Sequence, residues 1–474
     1  MVPVTWGRRA PVPLRSDVLS EEEAEVTKDH AALGFMTRRR ISRREFVRRA
    51  AGAGVVAPAL AGGLGAKPAT ATAQNQDLEA TLAIWGWEDS LNGLKVADAA
   101  FAQAYPTIAL EYVPRPPADT YQQLQLAASA GSGGPDVSLI EDSHLAQFVQ
   151  LGVLADLTDR VAPYVEKVND HKWLQARADD RAYAMPWDSG PVAVFYRRDV
   201  FERAGVDPAT LGTWEDYYAA AKTVQETTGA MMLAQAKARN SGRTFEMLLW
   251  QRGLGYVDEK GNVILDTEPR VQETLEYMGR FWADGLATDT EEWTDPWYKE
   301  MADGAVATIP GAVWMGTFFK SFIAPEAAGQ WGVVKLPTWG DEPSRASNDG
   351  GSALAIFEAS EQKDAAWAYI EFHLGREDSQ LEIYKETDLF PSLQTTYTDP
   401  FFQEPDPYFE DQPVRSLFAE VVAEVPAAGV YTSDYQEMNG LLTPELQRYA
   451  VGEQDAAHAL KNAADAIRER TGRS

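Results

Sequence analysis

Tyr183-Ala-Met-Pro-Trp-Asp-Ser-Gly-Pro-Val-Ala-Val-Phe-Tyr-Arg-Arg-Asp199, running on to Thr213-Trp-Glu-Asp216, decides how this chain is read. Val192 to Tyr196 is a β-branched and aromatic run and reads as a buried strand. Asp207-Pro208 marks a turn, and Thr213 followed by Asp216 has capping-box spacing for a new helix. The order is a loop carrying Trp187 and Asp188, then a strand, a turn and a helix.

Working outward, strands and helices alternate from about Asp77. Leu78 to Trp87 reads as a strand. Leu94, Ala97, Phe101 and Tyr105 have helical spacing, and Pro106 ends that helix. Ile108, Leu110 and Tyr112 alternate as a strand. Tyr121, Leu124 and Ala128 begin a helix that stops at Gly131. Gly133-Gly134-Pro135 breaks the chain before the short buried strand Val137 to Ile140. Ser143 is placed to cap the helix that follows, and Gly152 to end it. Such alternation implies parallel βαβ units and an α/β fold.

The 474 residues suffice for two or three domains, each with its own core. With 45% apolar and 24% charged residues the composition is that of a soluble globular protein. The charge is lopsided. Residues 1–73 hold 12 Lys and Arg against 7 Asp and Glu, a surplus of five positive charges, which leaves −33 for residues 74–474. An excess of that size repels phosphate backbones, so no nucleic-acid partner is expected. There is no cysteine, hence no disulfide, thiolate metal site, Cys nucleophile or lipidated N-terminal Cys. The five histidines (His30, His144, His171, His373, His458) include no i,i+4 pair. No metal and no cofactor are expected.

Thr37-Arg-Arg-Arg-Ile-Ser-Arg-Arg-Glu-Phe46 contains Arg43-Arg44 in a setting that resembles a twin-arginine export signal. An uncharged Ala/Gly-rich stretch follows from Ala50 to Ala66, then Ala71-Thr72-Ala73, a small-residue cleavage pattern. The stretch is too short and too weak in Leu, Ile and Phe for a spanning helix. Residues 1–73 therefore read as an extension and signal, with Met36 a second plausible start. Export to the periplasm or the cell exterior is expected.

Five landmarks of the remaining chain, in order, resemble the extracellular solute-binding proteins of ABC importers, of the family that takes up sugars. They are the strand with Trp85 and Trp87 leading into the run 131–158, the Pro-Trp loop with the 192–216 segment, Met301 to Trp314, Asn348-Asp-Gly-Gly-Ser-Ala-Leu-Ala-Ile356, and Phe390-Pro391-Ser392. The likeness spans about 77–474. It implies a two-lobed periplasmic-binding-protein-like fold (a Venus flytrap), each lobe a central sheet flanked by helices. Lobe one would be 77–193 plus 347–393, and lobe two 194–346 plus 394–474. It also implies a monomer that works with the permease subunits of an ABC transporter.

Several of the 14 Trp stand where strands give way to loops: Trp85, Trp87, Trp187, Trp293, Trp297, Trp314 and Trp339. In open α/β sheets ligands bind beyond the carboxyl ends of strands. A Trp there offers a flat face for sugar C–H groups and an N–H donor. The alternative for each is core packing, the role assigned to Trp214 and Trp367. Trp87, Trp187 and Trp314 match strand-end positions of the family. Beside them stand Glu88-Asp89, Glu141-Asp142 and Asp188, suited to vicinal hydroxyls. Asp89 and Asp142 fit a helix N-cap equally well. Gly350-Gly351 either lets backbone approach a ligand or forms a strand-entry turn. The expected ligand-binding set is thus Trp85, Trp87, Glu88, Glu141, Asp142, Trp187, Asp188, Trp293, Trp314, Gly350 and Gly351.

Three functions share these features. One is non-catalytic capture of a sugar or oligosaccharide for an importer. Another is capture of a polyamine or other cation on the same fold, through acidic residues beside Trp. The third is an exported glycoside hydrolase, which also uses paired carboxylates; no strand-end carboxylate pair repeats through a barrel pattern here.

Overall fold

β1 (Ala80–Gly86), β2 (Ile108–Pro114) and β3 (Val137–Glu141) lie in parallel, with β1 between the other two, as alternating strands and helices require. The computed structural model describes residues 78–427, 429 and 431–474. The Arg43-Arg44 pair and the expected extension of residues 1–73 lie outside the described residues.

Next comes β4 (Met185–Arg197), 13 residues long and buried throughout. Its first half pairs antiparallel with β7 (Asn348–Ile356), which in turn pairs antiparallel with β3. Its second half lies between β5 (Thr308–Ala312) and β6 (Trp331–Lys335), antiparallel to both. One strand thus serves two sheet regions.

Strand geometry sends alternate side chains of β4 to opposite faces. Val192, Val194 and Tyr196 enter one apolar cluster, with Trp214, Phe245, Phe281 and Leu446, while Ala193 and Phe195 enter another, with Phe319, Trp331 and Phe418. A strand covered on both faces must be apolar at every position, which explains the unbroken run from Val192 to Tyr196. A further cluster runs from Leu82 to Trp187 and from Ala353 to Leu393 and forms the core of the first lobe. Tyr384 and Phe390, from the stretch expected in lobe one, pack with the Phe195 cluster instead.

The local signals hold where backbone chemistry dictated them. Thr213 and Asp216 form the capping box of α4 (Trp214–Thr228) after the helices α1 (Glu88–Leu94), α2 (Asp142–Gln150) and α3 (Asp170–Ala176). Two expected caps are displaced. Trp87 and Glu141 occupy the N-cap positions of α1 and α2, and neither caps with its side chain. Asp89, Asp142 and Ser143 therefore lie inside the first turns, where their charge or dipole faces the helix N-terminus. Among the described residues no helix is long and apolar enough to cross a membrane.

The crossing is tight. Ser189 N–H donates to Phe390 O at 2.8 Å, and Ser392 N–H donates to Trp187 O at 2.8 Å. A Cβ on Gly190 would fall 2.0 Å from the Asp349 carbonyl oxygen, so only glycine lets β4 pass that backbone.

Candidate ligand-binding site

The antiparallel register sets Ser352 of β7 opposite both Glu141 at the end of β3 and Asp188 in β4. Asp188 Oδ1 accepts from Ser352 N–H at 2.9 Å and from the Ser352 hydroxyl. Just before Ser352 the pairing is bulged, and Gly350 and Gly351 hold φ of +79° and +105°. A Cβ on Gly351 would sit 2.7 Å from Lys172 Nζ and 3.0 Å from Asp142 Oδ2. The glycines therefore make room for an ion pair against bare backbone: Lys172 Nζ lies 2.5 Å from Asp142 Oδ2, both side chains almost wholly enclosed.

Burial pushes the Asp142 carboxyl up to about 6 against the pull of Lys172, with Asp188 and Glu141 adding to the rise. Glu141 is raised by its surroundings too, although the Tyr121 hydroxyl donates to it at 3.0 Å. Tyr121 in turn stacks on His144, ring centroids 3.8 Å apart, and burial lowers His144 to about 4.

The opposing wall comes from the second lobe. Arg243 is the first residue of α5 (Arg243–Gln251), and its Nε donates to both Asp349 carboxylate oxygens, at 3.1 and 2.9 Å. The same guanidinium lies 4.7 Å over the Trp314 ring and 5.8 Å from that of Trp293. Trp314 Nε1–H donates to the Asp349 carbonyl at 3.1 Å. One residue of β7 thus fixes a cation through its side chain and an indole through its backbone. Glu292 lies 3.8 Å from Arg243, and Glu246 accepts from the Tyr435 hydroxyl at 2.9 Å. Burial pushes Glu246 up to about 8, with Asp349 reinforcing and Tyr435 and Arg243 opposing. Flat indole faces, hydrogen-bond acceptors of modest charge and one pinned guanidinium together suit a ligand with apolar ring faces and hydroxyl edges.

Of the expected residues, the structure gathers Glu141, Asp142, Asp188, Gly350, Gly351, Trp293 and Trp314 through these contacts. Trp187 it does not: 1% exposed, it is part of the first core, so the expectation of a stacking face there is corrected. Trp85 is likewise core, with the Arg115 guanidinium 4.1 Å over its ring. Trp87 is half-buried against that core, and Glu88 projects into solvent from the first turn of α1. Trp297 and Trp214 are core, and Trp339 packs against Trp214. The sequence reading missed Arg243, Asp349, Lys172, Glu246, Glu292 and Tyr435. Asp349 had a signal, standing directly before Gly350-Gly351; Arg243 and Lys172 had none, since charges in a first helical turn are ordinarily solvated.

A two-lobed α/β molecule with its polar and aromatic side chains turned into the seam is built to hold a solute. Residues 88–379 match the bacterial extracellular solute-binding proteins, and the chain belongs to that family. It is 29% identical over 365 residues to the lactose-binding protein of Rhizobium radiobacter, covering 74% of this chain and 84% of the relative. To the arabinooligosaccharide-binding protein of Halalkalibacterium halodurans it is 28% identical, covering 64% and 67%. Among solved structures it is similar to an ABC-transporter-associated binding protein from B. animalis subsp. lactis Bl-04 in complex with β-1,6-galactobiose. The TM-score is 0.70 at 26% identity, covering 84% of this chain and 98% of that one.

Proposed function

We propose that this protein captures a neutral sugar or oligosaccharide between its lobes and delivers it to the permease of an ABC transporter. The observation that carries the reading is Trp314, pinned flat by Arg243 and by the Asp349 carbonyl at the seam, with Trp293 beside it. The relatives that bind lactose and arabinooligosaccharides agree with a site of this chemistry. Arg243 pairs with Asp349 and Lys172 with Asp142, while Glu141, Asp188 and Glu292 stand beside them as acceptors for ligand hydroxyls, and the ligand panel below decides between a sugar and a polyamine. Capture is without catalysis, and oligosaccharides incubated with the protein are expected to acquire no new reducing ends; their appearance would overturn this.

The test is thermal melting with galactose, lactose, β-1,6-galactobiose, arabinooligosaccharides, putrescine and spermidine. A ligand at a hundred times its Kd stabilises the folded state by about 2.7 kcal/mol, enough to raise Tm by about a degree or more at this size. Trp314→Ala is expected to remove the shift, measured against its own unliganded Tm, which falls with the lost Asp349 hydrogen bond and ring packing. A shift with a polyamine and with no sugar overturns the sugar reading.

The protein reaches its compartment through the Arg43-Arg44 signal and acts there as a monomer. Replacing both arginines by Lys keeps the charge and is expected to abolish export; undiminished export of that variant rejects the twin-arginine route.

A further inference from the structure

α3 stands at the seam. Its Trp173 and Ala176 belong to the first core, while other side chains of the same turns reach the second lobe. Asn169, its N-cap, donates from Nδ2 to the Val422 carbonyl, and Gln175 bonds to Gly429 and Tyr431. His171 sits in sequence between these two contacts. It is 2% exposed, and its ring lies edge-on to Trp250 of α5 with centroids 5.5 Å apart. The next residue, Lys172, turns into the ion pair with Asp142.

Neither ring nitrogen of His171 makes a hydrogen bond of normal geometry, an uncommon state for a buried polar group. Burial, and after it the Lys172 charge, lower the ring to about 3 from the ordinary 6.5, against the smaller pull of the Pro426 carbonyl. The charged groups on the surrounding elements are engaged elsewhere. Asp142 is paired with Lys172, Arg243 with Asp349 and Glu424 with Lys335, and Glu246 accepts from Tyr435. Asp170 is exposed, and burial keeps the Tyr431 hydroxyl protonated. The other three histidines among the described residues each stand beside a carboxylate: His144 by Glu141, His373 by Asp98 and His458 by Asp455. A proton on those rings meets a counter-ion. On His171 it meets the like charge of Lys172 instead.

We propose that His171 is a proton-operated release: the closed lobes accept only its neutral ring, so acid outside the cell opens them and lowers affinity for the captured solute. This rests on capture between the lobes and adds its regulation. When the lobes part, the ring regains water and its ordinary behaviour. Below about 6.5 the open form then holds a proton that the closed form refuses, and each proton bound draws the balance toward opening.

The test is calorimetric titration of the full chain, His171→Gln and His171→Phe with lactose, β-1,6-galactobiose and arabinotriose at pH 7.5 and 5.5. Asp142 and Glu246 titrate in the same range in all three proteins, so the quantity read is the parent's loss of affinity on acidification divided by each variant's. From the two ring values that ratio is expected to be about tenfold. A merely structural role would weaken the variants equally at both pH values and give a ratio near one, which overturns the proposal and leaves the sugar reading standing. The Phe variant keeps a ring against Trp250 should the Gln variant fold poorly. If none of the sugars binds, solution scattering of the unliganded proteins decides. The parent's radius of gyration is expected to grow from pH 7.5 to 5.5 and the variants' to stay constant; the same response in all three overturns the proposal.

Discussion

Glu246 faces Arg243, Asp349, Tyr435 and Tyr256, and its carboxyl titrates at about 8 where the ordinary value is 4.5. Between those values the folded protein keeps a proton that the unfolded chain releases. The stability this supplies is complete below about 4.5 and is lost as pH rises through about 8. Glu246→Gln imitates the protonated form at every pH. Its Tm relative to the parent is therefore expected to climb from pH 5 to pH 9, as measured by scanning calorimetry. A difference that stays constant across that range would show that Glu246 is not the group losing its proton. Asp142 follows the same sign with a lower window, since burial takes it only to about 6 and Lys172 restrains the rise.

β4 shows at the level of an element how a sequence is read twice. Val192 to Tyr196 is apolar because both faces are covered, while Met185 to Ser189 obeys a different neighbour, β7, and carries Asp188 where Ser352 can satisfy it. Gly190 joins the halves. Gly190→Ala drives a methyl into the Asp349 carbonyl, and separating those backbones is expected to cost about 1–3 kcal/mol in denaturant unfolding. Because Asp349 also anchors Arg243 and Trp314, the same variant is expected to weaken ligand binding. A variant as stable as the parent would mean that the crossing yields without cost. Elements were legible in the sequence because local chemistry fixes them: apolar runs, breakers and the Thr213–Asp216 box each act within a few residues. The site was legible only in part. A strand-end Trp looks the same in sequence whether its ring turns inward, as Trp187 does, or toward the seam, as Trp314 does. Lys172 and Arg243 become site residues only through partners 30 and 106 positions away, which no periodicity encodes.

At the scale of the whole molecule the lobes are joined by two unlike kinds of contact. Near the crossings they share strand pairing and apolar packing, with Tyr384 and Phe390 in the cluster around Phe195. Across the seam the links among the described residues are mostly polar, the Arg243–Asp349 ion pair foremost. Gln175 Nε2 donates to Gly429 O at 3.0 Å, and Tyr431 N–H donates back to Gln175 Oε1 at 3.1 Å. In α6 (Tyr435–Ala450), Gln436 Nε2 donates to the Ser143 carbonyl at 3.4 Å. Such neutral bonds exchange readily with water, each worth about 1 kcal/mol net, so beside the Arg243–Asp349 pair they add little to hold the seam shut. A ligand touching both walls adds contacts that exist in the closed form alone and shifts the balance by that difference. Closure about a hinge is therefore expected, with β4 and the Phe390–Ser392 crossing, paired here, as the hinge. Solution scattering should therefore record a smaller radius of gyration when a sugar that raises Tm is added to saturation. Gln436→Ala should enlarge the unliganded particle or leave it open, and ligand should still close it, because the seam bond assists closure without causing it. A profile that ligand leaves unchanged in both proteins would mean that the lobes are rigidly joined and that the solute enters by some path other than hinge opening.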